Sequence, residues 1–254
     1  MSQAEVPFRG VSATNATTET RPQAPQLACS SCSLHELCLS GGLDEIDLEA
    51  IDQMVAKRRR LAKGEALFGV GEAFRSLYAV RFGLFKTEGL SADGREQVTG
   101  FQMAGELLGL DGISSDRHVC KAVALEDSEV CVIPFAEMES IGRAVPALQR
   151  NLHRVMSREM VQDRSLLVLL GSARAEERLA AFLLNLSQRH AQRGYSASEF
   201  ILRMTRDEIG SYLGLTPETV SRTFTRLQKD GLIEVAQKRI RIVDLQALRS
   251  FIGC

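Results

Sequence analysis

Long apolar runs and a large excess of either charge are both missing from this 254-residue sequence. Its apolar stretches, such as residues 166–170, are far shorter than the roughly 20 residues that a membrane-spanning helix needs. Lysine and arginine number 31 against 32 aspartate and glutamate, so the net charge does not indicate nucleic acid or membrane as a partner. The hydrophobic fraction of 44% excludes collagen-like, low-complexity and wholly disordered chains.

A secretory signal is also missing, because no continuous apolar stretch follows the first charges of the N-terminus. We therefore expect a cytoplasmic protein without a membrane helix, whose six cysteines stay reduced instead of pairing as disulfides. Residues 1–28 are rich in Ser, Thr, Ala, Gln and Pro without periodicity, which predicts a disordered tail.

Three of the cysteines follow this tail directly, in the spacing C-x2-C-x5-C at Cys29, Cys32 and Cys38. Three thiolates need a fourth partner to complete a tetrahedral metal site or to hold a cubane cluster. His35, inside the group, is an alternative ligand, although such a histidine is more often a solvated surface residue. On spacing alone, an iron–sulfur cluster, a structural zinc site and no metal all stay open, and the candidate fourth ligands are Cys120, Cys131 and Cys254.

The pattern of apolar residues changes twice along the chain. Between residues 61 and 135, short runs alternate with glycine-containing turns, which predicts an antiparallel β-roll of the jelly-roll type. The basic run at 57–60, just before it, is expected to form a solvated helix end. The predicted fold is α+β, with a cysteine-bearing segment and β-roll sensor domain at 29–144, a long dimerisation helix at 145–171 and a winged helix-turn-helix at 172–254.

A long helix is predicted after Pro146, because apolar residues recur there at spacings of three and four without an internal break. Such a narrow stripe is typical of a seam between two copies of a chain, although packing on its own domain would give a similar stripe. Glu159 and Asp163 fall within it and would bring like charges together, so the seam could be only marginally stable. The predicted interface residues are Leu152, Val155, Met156, Glu159, Met160, Asp163, Leu166 and Leu170.

Two capped helices follow one another near the C-terminus. Thr205 and Glu208 form a capping box, and Gly214 ends the helix that this box begins. Thr216 is the N-cap of the next helix, with Pro217 at its first position. Two helices joined by a short glycine-containing turn have the spacing of a helix-turn-helix.

The outward face of the second helix carries side chains that can read base edges. Arg222 can donate two hydrogen bonds to guanine, Glu218 can accept one from cytosine, and Ser221 can serve a base or a phosphate. The predicted DNA-binding residues are Thr216, Glu218, Ser221, Arg222 and Thr225. A hairpin with basic residues follows as a wing, and residues 203–241 carry a net charge of +3, whereas a small bundle with a solvated face is the alternative.

The order of these segments resembles the FNR-type oxygen-responsive regulators of the CRP/FNR superfamily. The resemblance covers residues 27–235 and is carried by SLYAVRFG, GFQMAGELLG, EVCVIPF, AEERLAAFLLNLSQR and MTRDEIGSYLGLTPETVSR. It implies that Cys29, Cys32 and Cys38, with Cys131 in the V-C-x-I-P-F context, hold an oxygen-labile 4Fe-4S cluster. It further implies a homodimer that binds a palindromic, TTGAT-like site in double-stranded DNA and acts on RNA polymerase to control anaerobic gene expression.

Departures from related families define the alternatives. Cyclic-AMP-binding relatives carry an Arg-Ser pair after a G-E turn; here Gly105 and Glu106 keep the turn, but the later stretch DRHVCKAV lacks the pair. A cyclic-nucleotide-responsive regulator and a zinc-stapled DNA-binding protein without sensing remain the alternatives. No HExxH motif or Walker loop is present, so no enzyme is predicted. The loop around Asp93, Gly94 and Arg95 is a candidate contact for RNA polymerase.

Overall fold

The computed structural model describes residues 29–55, 57–90 and 94–252. The tail predicted at 1–28 lies outside the described residues, as do Asp93 and Cys254.

Two antiparallel sheets form the β-roll, which confirms the predicted architecture. The strands β1 to β8 are, in chain order, Lys57–Leu61, Ala66–Phe68, Ser76–Phe82, Leu84–Leu90, Glu96–Met103, Leu107–Leu108, Cys120–Ala124 and Ser128–Pro134. One sheet has the order β1-β8-β3-β6 and the other β2-β7-β4-β5. Phe85 from one sheet and Val130 from the other are completely buried in the shared apolar cluster, because alternate side chains of a strand point to the same face.

The basic run at 57–60 is part of strand β1, and the expected helix end is therefore wrong. In the register of β1 with β8, Arg58 lies opposite Cys131 and Arg60 lies opposite Glu129. Glu129 is only 3% exposed and accepts hydrogen bonds from Arg60 at 2.9 Å and from Arg81 at 2.6 Å. The run is extended because it pairs with β8, a central strand of its sheet. This pairing could not be predicted from the composition of four residues.

Four α-helices lie between the cysteine segment and the strand at Glu199–Ile201, the first before the β-roll and the other three after it. In chain order, α1 to α4 are Glu45–Met54, Phe135–Ala144, Pro146–Ser172 and Ala175–Gln192. The long helix predicted at 145–171 is α3, and Pro146 stands at its start, where a missing N–H costs nothing. In the described part of the chain, no helix combines the length and apolarity needed to cross a membrane.

The C-terminal unit is the predicted winged helix-turn-helix. It comprises α4 and, in chain order after it, β9 (Glu199–Ile201), α5 (Arg206–Leu213), α6 (Pro217–Lys229), β10 (Ile233–Ala236), β11 (Arg239–Ile242) and α7 (Leu245–Phe251). The capping box at the start of α5 is present, with the Glu208 N–H donating to Thr205 Oγ1 at 3.1 Å and the Thr205 N–H donating to the Glu208 carboxylate at 2.8 Å. The strands β10 and β11 pair as the wing.

The C-terminal unit packs on the β-roll of the same chain. One apolar cluster contains Val98 and Phe101 of β5 together with Phe182 of α4 and Leu213 of α5. The N–H of Val98 also donates to Ser211 Oγ at 2.9 Å. This packing fixes where α6 lies relative to the cysteine segment.

Candidate metal centre and nucleic-acid interface

A compact loop presents the three N-terminal cysteines. Two short 3-10 turns, Cys29–Ser31 and His35–Leu37, carry or flank them, and the N–H of Cys32 donates to the Cys29 carbonyl at 3.0 Å. Asp52 on α1 accepts hydrogen bonds from the N–H of Cys29 and, at 2.8 Å, from the Ser30 hydroxyl. The loop is therefore fastened to α1, which packs under it.

One cavity brings the four predicted ligands together. Cys29, Cys32 and Cys38 line it from the loop, and Cys131 lines it from β8. An adjoining cavity of about 300 Å³ is lined by three of these cysteines and by Arg58 and Arg81. Within residues 29–55, 57–90 and 94–252, no group of three or more His, Cys, Asp or Glu side chains is arranged, as it stands, to hold a metal ion.

The other candidate fourth ligands lie elsewhere. Cys120 is on β7, in the opposite sheet, and packs beside an apolar cluster. Burial raises the pKa of its thiol to about 12, and the neighbouring Asp111 carboxylate adds to that increase. Cys254 is outside the described residues. His35 does line the cysteine cavity, with Nδ1 lying 2.9 Å from the Cys32 carbonyl and Nε2 lying 2.9 Å from Glu36.

Burial controls the protonation of the cysteine site. It raises the pKa of Cys29 to about 12 and that of Cys38 to about 11, and the neighbouring thiols add to both increases. Burial also raises the pKa of Cys131, although the positive charge of Arg58 opposes this increase. Four soft sulfur donors in a largely apolar setting, beside two arginines, fit a thiolate-ligated iron–sulfur cluster, which carries net negative charge.

The predicted DNA-binding residues are all exposed, while the opposite face of α6 is buried through Val220, Phe224 and Leu227. Thr216 caps the helix by accepting a hydrogen bond from the Thr219 N–H at 3.2 Å. The hydroxyl of Thr219 also accepts from Arg222 Nη2 at 3.3 Å. Sequence reasoning missed the contact of Thr219 with Arg222. The only sequence feature that could have indicated it is the position of Thr219 one turn after the N-cap.

The wing residues have partners of their own. Arg239 lies 3.3 Å from Glu199, and Arg241 lies 3.1 Å from Glu234, in pairs that are more than 40% exposed on both sides. Exposed pairs of this kind are weak and can exchange a carboxylate for a phosphate. Lys238 occupies the hairpin turn between β10 and β11.

The predicted dimer seam on α3 divides into two parts. Leu152 and Val155 are partly buried and pack on the same apolar cluster as Cys29, Cys38 and Cys131. Further along, Met160 and Asp163 are exposed. Sequence reasoning missed other exposed apolar residues of this half, which a seven-residue spacing could have revealed: Val161, Leu167 and Val168.

The half-buried carboxyl group of Glu159 lies between these two parts. Burial raises the pKa of Glu159 to about 7, and the negative charges of Glu106 and Asp163 contribute further to this increase. Partial desolvation of the Asp163 carboxyl group also raises its pKa, although the residue as a whole is exposed. The middle of α3 therefore carries acidic groups whose ionisation the surroundings disfavour.

Comparisons with known proteins agree with this geometry. Residues 58–144 match the cyclic nucleotide-binding domain family, and residues 177–251 match the Crp-like helix-turn-helix domain family. The chain is 47% identical to the transcriptional regulatory protein btr of Bordetella pertussis, over 91% of this chain and 96% of that protein. It is 44% identical to the fumarate and nitrate reduction regulatory protein of Escherichia coli, over 89% of this chain and 90% of that protein.

Among solved structures, FixK2 from Bradyrhizobium japonicum superposes with a TM-score of 0.70 at 30% identity, covering 76% of this chain and 96% of that one. The similarity to these two named regulators covers about nine-tenths of the chain, and the two family models match its β-roll and its C-terminal unit. The chain therefore belongs to the FNR-type DNA-binding transcription regulators of the CRP/FNR superfamily.

Proposed function

We propose that this regulator responds to oxygen through a 4Fe-4S cluster that favours a DNA-binding homodimer. The observation that carries the proposal is the shared cavity of Cys29, Cys32, Cys38 and Cys131. The similar protein from Escherichia coli is named for the reduction of fumarate and nitrate, two electron acceptors other than oxygen. This name supports control of anaerobic genes.

The chain's own residues have defined parts in this proposal. The four cysteines ligate, Asp52 holds the first cysteine in place, and Arg58 and Arg81 supply positive charge beside the sulfurs. When bound, the cluster would supply a centre that dioxygen degrades, so that occupancy of the site depends on oxygen.

Dimerisation is assigned to the exposed half of α3. Two recognition helices must lie about 34 Å apart to reach successive major grooves of a palindrome, and a monomer reaches only half of such a site. The exposed side chains of Met160 and Leu167 offer apolar contacts to a second chain. Asp163, in contrast, would lie close to Asp163 of that second chain, and the two like charges would repel each other. Shifting a monomer–dimer equilibrium from 1:99 to 99:1 requires about 5.5 kcal/mol of differential stabilisation. Metal ligation is strong enough for this, since structural zinc in peptides contributes about 10 to 16 kcal/mol.

DNA recognition is assigned to α6 and the wing. Arg222 would bind guanine, Glu218 would accept from cytosine, and Ser221 with Thr225 would contact bases or phosphates. RNA polymerase would be contacted near Gly94 and Arg95.

Anaerobic purification followed by assays of iron, acid-labile sulfide and zinc tests this proposal. We expect iron and sulfide in a brown protein that bleaches in air. Cys32→Ser is expected to lose iron, sulfide and anaerobic promoter control, whereas Cys120→Ser, which removes a thiol outside the cavity, is expected to retain them. A colourless protein with stoichiometric zinc would instead support the zinc-stapled regulator without sensing.

A third cavity bears on the cyclic-nucleotide alternative. It measures about 780 Å³ and lies between the β2-β7-β4-β5 sheet, α3 and α4. The basic side chain among its described lining residues is Arg189, whose Nε already donates to Glu106 at 3.0 Å. Acidic side chains outnumber this arginine in the lining, which also includes Glu106, Asp111 and Glu177. A cavity with this lining is unfavourable for the phosphate of a nucleotide, because its basic side chain is already paired with a carboxylate. This supports the proposal that the cysteine site is the sensor.

A further inference from the structure

Asn151 is a buried amide on α3, with 7% of its surface exposed. Its Nδ2 donates to the Leu39 carbonyl at 2.9 Å and to the Gly41 carbonyl at 2.8 Å. Its Oδ1 accepts from Arg154 Nη1 at 3.1 Å. Both polar atoms of the amide are therefore paired, and the two donated bonds reach residues 112 and 110 positions earlier in the chain.

The carbonyls that Asn151 binds belong to the segment that follows Cys38 directly. Leu39 and Ser40 are each 2% exposed, and the N–H of Gly41 donates back to the Cys38 carbonyl at 3.2 Å. A Cβ at Gly41 would lie 2.7 Å from the backbone oxygen of Glu36. The segment is therefore compact and buried, so a displacement of Cys38 must displace the two carbonyls as well.

Asn151 itself belongs to α3, the helix that the proposed function assigns to dimerisation. Asn151 precedes Leu152 and lies one turn before Val155, and both of these side chains pack on the same apolar cluster as Cys38. The exposed Met160 and Asp163 follow on the same continuous helix. Because a packed helix moves as a rigid element, its orientation at Asn151 affects the exposed half.

We propose that Asn151 is a positioning residue that couples the state of the cysteine segment to the orientation of α3. The inference rests on the proposed function, in which Cys38 is a ligand and α3 pairs with a second copy. With Cys38 ligated, the carbonyls of Leu39 and Gly41 are held where the Asn151 amide binds them. Release of Cys38 loosens the segment, and a buried amide that loses its acceptors is costly enough to shift the helix.

Two substitutions at this position test the coupling. Asn151→Leu keeps the approximate size of the side chain and removes the amide, while Asn151→Asp removes the donor and keeps the acceptor for Arg154. His153→Ala, at an exposed position of the same helix, is the matched control. For each protein, iron and sulfide are assayed anaerobically, and sedimentation velocity gives the dimerisation constant before and after exposure to air.

We expect both Asn151 variants to retain iron and sulfide while the ratio of the two dimerisation constants falls by roughly tenfold, within the range of common allosteric couplings. Hydrogen exchange over residues 152–163 should then no longer differ between the loaded and air-exposed forms. His153→Ala should behave as the unaltered chain does.

If the ratio of the two dimerisation constants is unchanged in both variants, the inference about Asn151 is wrong, and the proposed function is not affected. Loss of iron from both would also overturn the inference, because Asn151 would then build the site and not transmit its state. If one variant does not fold by circular dichroism, the other decides. If the unaltered chain binds no iron, or dimerises equally with and without it, the proposed function fails and the inference fails with it.

Discussion

Two arginines on α6 show how local partners decide what a side chain is free to do. Arg222 and Arg226 lie one turn apart, and both are exposed. Arg226 Nη1 donates to the Glu176 carboxylate at 2.9 Å, whereas the contact of Arg222 is with the neutral hydroxyl of Thr219. The charge of Arg222 is therefore available to DNA, while that of Arg226 is already compensated.

Substitution of these two arginines should separate base recognition from general charge. Arg222→Ala is expected to weaken binding to an operator by about 1 to 3 kcal/mol and to relax the preference for the contacted base pair. Arg226→Ala should cost less, because it breaks an exposed ion pair. Fluorescence anisotropy with operators altered at single base pairs measures both effects, and equal losses on every operator would contradict the base contact proposed for Arg222.

The carboxyl group of Glu159 is expected to make stability depend on pH. Its pKa is about 7 in the folded chain against an ordinary value of 4.5, so the folded state holds this proton more tightly. The stabilisation is complete below pH 4.5 and is lost as the pH rises towards 7. Glu159→Gln should therefore be the more stable protein above that range, by at most about 3 kcal/mol.

Urea unfolding of the cluster-free chain between pH 4 and 8 is the measurement, with Glu139→Gln on an exposed face of α2 as the control. The difference between Glu159→Gln and the unaltered chain should grow with pH. A constant difference across this interval would show that Glu159 ionises normally in the folded chain.

At the scale of single elements, the helix-turn-helix depends on a close backbone approach. Gly210 in α5 accepts a hydrogen bond from the Leu215 N–H at 2.9 Å, and a Cβ at Gly210 would lie 2.6 Å from the Leu215 oxygen. Gly171, near the end of α3, has nothing within 4 Å of the equivalent position. A side chain at position 210 would therefore clash with the turn, whereas position 171 has room for one.

Alanine at these two positions should change stability in opposite directions. Gly210→Ala is expected to destabilise the chain by about 1 to 3 kcal/mol, because the turn must move away from the added methyl group. Gly171→Ala should stabilise it by about 0.4 to 1 kcal/mol by restricting the unfolded chain. Thermal unfolding provides the comparison, and a stabilising Gly210→Ala would refute the close approach.

On the scale of the whole molecule, Glu106 joins the β-roll to the C-terminal unit. It follows β5 and binds Arg189 and Arg193, and the Arg193 side chain is only 3% exposed. A second link is Lys86 of β4, which lies 3.1 Å from Glu208 of α5. With the continuous apolar cluster, these links predict that the two parts unfold together.

Removal of the Glu106 charge should show the strength of this link. Glu106→Gln leaves a buried guanidinium without its counter-ion, which costs about 3 to 5 kcal/mol for a fully buried pair and less here, because Glu106 is 21% exposed. Glu199→Gln, from an exposed pair with Arg239, should cost at most about 1 kcal/mol. Urea unfolding tests both, and similar small costs would mean that the link does not stabilise the molecule.

Local patterns in the sequence determined much of this fold. The cap at Thr216, the proline at position 217 and the glycine at 214 specify where helices begin and end, because capping acts within a few residues. Short apolar runs between glycine-containing turns likewise predict the β-roll, and the cysteine spacing makes a metal centre a candidate. Periodicity and capping are visible in sequence because they involve neighbours along the chain.

Tertiary structure alone decided which distant groups meet. The pairing of Arg58 with Cys131 across β1 and β8, and the bonds from Asn151 to the Cys38 segment, join residues far apart in the chain. The same holds for the partly buried first half of α3, which an apolar stripe cannot distinguish from a seam between two copies. Such contacts depend on how whole elements pack, and that packing is a property of the complete chain and not of any segment within it.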